Sequence, residues 1–141
     1  MKILITFILL FVTQFGWAQA VLSSKEEVTK HADKTMNYFG DAMFEEAFSE
    51  LRKYYFVSDL DFQNIKAKTI DNLSKAIENY GEITGEIFVK EENLKDVAIR
   101  KTYLLRYDTI LLKFQIVYYK STQGWIVNSF SWDDEFETLF E

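Results

Sequence analysis

The sequence predicts an α+β fold, with three N-terminal helices packed on one face of a four-stranded antiparallel sheet. Three observations predict it. Between Val28 and Tyr80 apolar residues recur every three or four positions; from Gly85 onward the period changes to two; and there is no proline to interrupt either pattern. Helices grouped before strands indicate helices layered on one face of a sheet rather than an alternating α/β arrangement.

Ser24-Lys25-Glu26-Glu27 has the Ser-x-x-Glu form of a capping box, so the first helix starts there. Val28, Ala32, Met36 and Phe39 form its apolar stripe, and Gly40 ends it. Asp41 is placed to cap a second helix carrying Phe44, Ala47, Phe48, Leu51 and Tyr54 or Tyr55, after a link of only one or two residues. Phe56 and Val57 form either a short strand or a bridge. A third helix is capped within Ser58 to Asp61, carries Phe62, Ile65, Thr69, Leu73, Ile77 and Tyr80, and stops at Gly81.

In the first strand Ile87 and Val89 alternate with Glu86 and Lys90, and residues 91–96 are read as the following loop. Val97, Ile99, Tyr103, Leu105 and Tyr107 share one face of the second strand, with Lys101 as the polar member of the row. A turn near Asp108 leads to a third strand with Leu112, Phe114, Ile116 and Tyr118 inward. Residues 121–124 close a hairpin with Gly124 at a position suited to positive φ. The fourth strand is "WIVNSFSW", in which Asn128 interrupts the apolar row.

Ahead of the domain, Met1 and Lys2 precede an apolar run over residues 3–12 and a polar, small stretch over 13–20, the layout of a secretory signal peptide. The run is about half the roughly 20 residues a membrane-spanning helix needs. We therefore expect an exported protein, periplasmic or secreted, with no stable membrane anchor after cleavage behind Ala20, or alternatively behind Ala18. Residues 21–141 are expected to form a single domain. No cysteine is present, which removes disulfides, thiolate nucleophiles and Cys-based zinc sites. The formal charge of −6 becomes one unit more negative without Lys2, and no segment is strongly basic, so a nucleic-acid partner is not expected.

The stretches "NYFGDAMFEEAFSEL", "IENYGEITG" and "LLKFQIVYYKSTQGWIVNSFSW", spread over residues 28–132, resemble the nuclear transport factor 2-like superfamily, and most closely its small exported bacterial members. The resemblance implies a strongly curved sheet wrapped around a long helix. It also implies that any enzyme of this type holds an Asp or His base and a Tyr or Asp donor in the apolar cone. The superfamily contains isomerases, dehydratases, transport adaptors and plain binding modules, and fold does not choose among them.

The inward row of the third strand supplies no carboxylate for such a pair. Asp108, in a turn, is read as bonding to its own backbone. His31, the only histidine, lies beside Val28, Thr35 and Met36 at the edge of the apolar stripe and is read as a packed or edge residue rather than a base. One histidine without cysteine gives no transition-metal site, and no cofactor is expected. Tyr38, Tyr80, Tyr103, Tyr107, Tyr118 and Trp132 either fill the core or line a cavity with their polar tips. Lys101 and Asn128 each need solvent or a polar partner, because burying them alone costs several kcal/mol. We read them as turned to solvent; the alternative is a ligand pocket with Lys101, Tyr103, Tyr118, Asn128 and Trp132 as its contacts.

The tail "WDDEFETLFE" is read as a short helix or strand extension folding back on the domain, alternatively as a docking segment for a basic partner. Its acids lack the spacing of a calcium loop. Asn72-Leu73-Ser74 matches a glycosylation sequon but falls inside the third helix. The functional expectation is a non-catalytic module that binds a small molecule or a protein. The alternatives are an isomerase- or dehydratase-type enzyme using Tyr103 or Tyr118 with Asp108 or His31, and a homodimer formed through the exposed sheet face around Val117 and Tyr119.

Overall fold

The computed structural model describes residues 20–141, and the expected leader lies outside the described residues except for Ala20. Helices α1 (Lys25–Gly40), α2 (Phe44–Arg52) and α3 (Asp59–Tyr80) precede strands β1 (Ile83–Leu94), β2 (Ala98–Tyr107), β3 (Leu111–Lys120) and β4 (Trp125–Asp133), with a 3₁₀ turn at Phe136–Phe140. The strands form one antiparallel meander in the order β1-β2-β3-β4. The predicted α+β class, helices first and sheet second, is what the chain adopts.

At the start of α1, Ser24 Oγ accepts from the Glu27 amide at 3.2 Å, while the Glu27 carboxylate takes the amide of Ser23 at 2.7 Å, one residue before the reciprocal position of a capping box. Asp41 does not cap α2. The amides of Asp41, Ala42 and Met43 fold back on the carbonyls of Asn37, Phe39 and Tyr38, with Ala42 at φ +58°, so Asp41 is drawn into the end of α1 and Met43 takes the N-cap without a side-chain bond. The joint is three residues long. Ser58 caps α3 as expected, accepting from the Asp61 amide at 3.1 Å. Tyr55, rather than Phe56 or Val57, reaches the sheet, through a single parallel bridge to Val127.

β1 runs through Leu94, so most of the expected 91–96 loop is strand. The turn is Lys95 to Val97, with Lys95 at φ +48°, and Val97 leaves the β2 face for solvent. β1 carries extra residues at Thr84 and Val89: Ile83 pairs with Tyr107 but Gly85 with Arg106, and Phe88 with Tyr103 but Lys90 with Thr102, and the one at Val89 reverses which side chains beyond it face the helices. Glu86, Phe88, Glu91 and Asn93 thus share the face of Tyr103 and Lys101, while Ile87, Lys90, Glu92 and Leu94 face outward.

A further bulge falls in β4, where Tyr118 pairs with Val127 and Val117 with Ser129. Asn128 is the unpaired residue and is exposed. Trp125 and Val127 are therefore buried before it, and Phe130 and Trp132 pack against the core after it. Asp108 bonds not to its own turn but to the start of β1: its Oδ2 accepts from the Glu82 amide at 3.0 Å and its amide donates to the Glu82 carbonyl at 3.1 Å.

The core lies between α1, α2 and the helix-facing side of the sheet. Phe39 meets Phe48, Phe114 and Phe130 with ring centroids 5.3 to 5.6 Å apart, and Met36, Leu51, Leu105 and Ile116 complete the interior. α3 closes the side through Phe62, Thr69 and Leu73, and Tyr107 donates its hydroxyl to the Leu73 carbonyl at 3.2 Å. The tail folds back on the outer sheet face, where Lys113 Nζ donates to the Glu135 carbonyl and Thr138 Oγ1 at 3.4 and 3.3 Å.

Candidate functional site

Polar groups collect where α1 crosses the sheet. Thr29 and Asp33, four residues apart on α1, face two residues of β2 that are themselves two apart. Lys101, only 3% exposed, donates to Thr29 Oγ1 at 2.8 Å, pairs with Glu91 at 2.5 Å, and lies 5.3 Å from the centre of the Phe88 ring. The expectation that Lys101 turns to solvent is thus corrected: the bulge at Val89 brings Glu91 inward to meet it. Tyr103 donates its hydroxyl to Asp33 Oδ1 at 2.7 Å. Burial, reinforced by the Asp33 carboxylate, holds the Tyr103 phenol protonated far above its ordinary range.

The opposite flank of α1 carries His31, which is 4% exposed. Its Nε2 lies 3.0 Å from the Glu50 carbonyl, which can only accept, so Nε2 carries the proton. Nδ1 is then the acceptor for the Tyr118 hydroxyl at 2.7 Å. Tyr54 packs edge-on against the ring at 4.9 Å. Burial lowers the imidazole below its ordinary range, partly opposed by the Glu50 carbonyl and carboxylate, and keeps it neutral. Burial alone would push the Glu50 carboxyl up; the Lys53 and Lys34 ammonium groups together outweigh that and hold it below the ordinary value.

The structure thus brings Lys101, Tyr103 and Tyr118 to the underside of α1 and leaves two of the sequence candidates elsewhere. Asn128 points outward from the bulge, and Trp132 is half-buried, stacked on Phe114 at 6.4 Å. Thr29, Asp33, Glu50 and Glu91 complete the polar layer and were not singled out from sequence. The signal for two of them was present as a polar stripe, Thr29 and Asp33, running beside the apolar one on α1.

Two open grooves flank this layer. One, about 240 Å³, is lined by Leu22, Glu27, Lys34, Glu50 and Tyr54 with His31 among its walls. The other, about 340 Å³, lies on the outer sheet face among Glu92, Leu94, Ala98, Arg100 and Val117, where Arg100 grips Glu92 through two bonds of 3.0 and 2.7 Å. Among the described residues no three His, Asp or Glu side chains are placed to hold a metal ion, and no helix is long and apolar enough to cross a membrane. Comparison of the chain with protein-family models, with curated proteins and with solved structures returns no match.

Proposed function

We propose that this chain is an exported, non-catalytic binding module of the nuclear transport factor 2-like kind, and that it meets a small molecule or a protein partner through the outer face of its sheet. One observation carries the reading. Among the described residues every buried side-chain nitrogen and oxygen already has a hydrogen-bond partner within the protein. Tyr118 is bonded to His31, Tyr103 to the exposed Asp33 and Lys101 to the partly exposed Glu91, so a substrate would have to displace an existing bond to engage any of the three buried partners. The outer groove differs, offering an apolar floor of Leu94, Ala98 and Val117 beside the charged Glu92–Arg100 pair, with Tyr119 exposed nearby.

A second reading, an enzyme with Tyr118 as donor and His31 as base, is favoured by the 2.7 Å contact between them. It requires a substrate to displace one of two existing partners of the imidazole. Titrating ¹⁵N-labelled residues 21–141 with a small-fragment library distinguishes the two. Amide shifts grouped at Leu94, Ala98, Arg100 and Val117 are expected; shifts grouped at His31, Lys101 and Tyr118 overturn the outer-face reading. Homodimerisation through the same outer face would appear as concentration-dependent shifts at Val117 and Tyr119 without any fragment.

A further inference from the structure

His31 ties together three elements through its two ring nitrogens. It stands on α1, donates to the last turn of α2 at Glu50, and accepts from Tyr118 on β3. We propose that His31 is a proton-operated latch: neutral, it clamps α1 to α2 and β3; protonated, it releases Tyr118 and swings into the adjoining groove, which then deepens toward the Tyr118 hydroxyl.

The argument rests on hydrogen-bond capacity. A neutral imidazole has one donor and one acceptor nitrogen, and this site supplies one acceptor and one donor to match them. A second proton on Nδ1 would face the Tyr118 O–H directly. Tyr118 could accept only by turning its own hydrogen away, and its side chain is fully buried, so that hydrogen would lose its partner. The cation would also sit in a desolvated position. Outward, the groove offers water and carboxylates.

The carboxylates beside the groove draw an imidazolium outward, and the ammonium groups of Lys30, Lys34 and Lys53 oppose it. From α1 come Glu27, Lys30 and Lys34; from α2 and the residues after it, Glu50, Lys53 and Tyr54; from β3, Tyr118. Lys34 and Lys53 would repel an imidazolium, yet both are already engaged by Glu50 at 3.3 and 2.7 Å. Burial, reinforced by Asp33 from the far side and by Glu50, keeps the Tyr118 phenol protonated, so Tyr118 cannot hold the cation as a phenolate.

Because the chain holds one histidine, imidazole ¹⁵N resonances report this residue alone. At pH 7.5 the Nε2–H tautomer is expected. The ring should titrate below pH 6.5, and the amides of Glu50, Tyr54 and Tyr118 should shift with the same midpoint. Tyr118→Phe removes the O–H that favours the neutral ring, so the midpoint should rise by about half a pH unit or more. A ring that is merely buried would titrate low without responding to Tyr118→Phe. That outcome, an Nδ1–H tautomer, or amides of Glu50 and Tyr118 indifferent to the titration overturns the latch; the wild-type titration decides it even if the variant folds poorly.

Discussion

The hydroxyl of Tyr118 lies 2.7 Å from Nδ1 of His31, joining β3 to α1 across 87 positions of sequence. Since folding favours the neutral ring, the unfolded chain takes up the proton first as pH falls. The sign follows: the contribution is complete above pH 6.5 and declines as pH drops from there toward the lowered folded value, by at most about 1.4 kcal/mol per pH unit. Glu50, also held below its ordinary value, adds a loss in the same direction once pH passes below 4.5. Urea midpoints measured from pH 8 to pH 5 should fall with acidity, and in a His31→Asn background the fall between pH 6.5 and 5 should shrink.

Lys101 and Glu91 should respond unequally to removal. Lys101→Met keeps the packing and leaves Glu91, a third exposed, to water, so a cost within about 1 kcal/mol is expected. Glu91→Ala strands an ammonium that is 3% exposed, and about 2 kcal/mol or more is expected. Denaturant unfolding of both variants tests the order; equal costs would mean that Thr29 and the Phe88 ring suffice to hold the cation.

Gly81, between α3 and β1, has φ +90° and ψ −172°, a conformation open essentially to glycine alone. An added Cβ would also lie within 3 Å of the Asp108 side chain, which bonds the Glu82 amide. Gly81→Ala should destabilise the fold by about 2 kcal/mol. Pairing it with Asp108→Ala should recover little of that loss, since the Asp108 Cβ still lies 2.6 Å from the added carbon and the backbone strain stays.

Helix ends and faces were legible because glycine and the 3.6 period act locally: Gly81, at φ +90°, ends α3, α1 stops at Gly40 although Ala42 rather than Gly40 takes the positive φ, and Val28, Ala32, Met36 and Phe39 are all buried. The inward row of β3 was legible for the same reason. The bulges were not. A period of two carries no mark for an inserted residue, so Val89 and Asn128 displaced the faces beyond them and hid the inward turn of Glu91. Asp41 misled because its capping tendency lost to three backbone bonds that close the joint first. The partners of Lys101, Tyr103 and Tyr118 depend on where α1 crosses the sheet, which no local spacing encodes. The polar row itself was visible; its pairing was not.

We propose that the polar side chains inside this fold serve each other rather than a substrate. It is tested most directly by assaying purified residues 21–141 against a panel of small carbonyl and ester compounds, alongside Tyr118→Phe and His31→Asn. A paired interior gives no turnover that depends on either residue. Turnover by the wild-type protein that is lost in both variants, with each still folded, would contradict it.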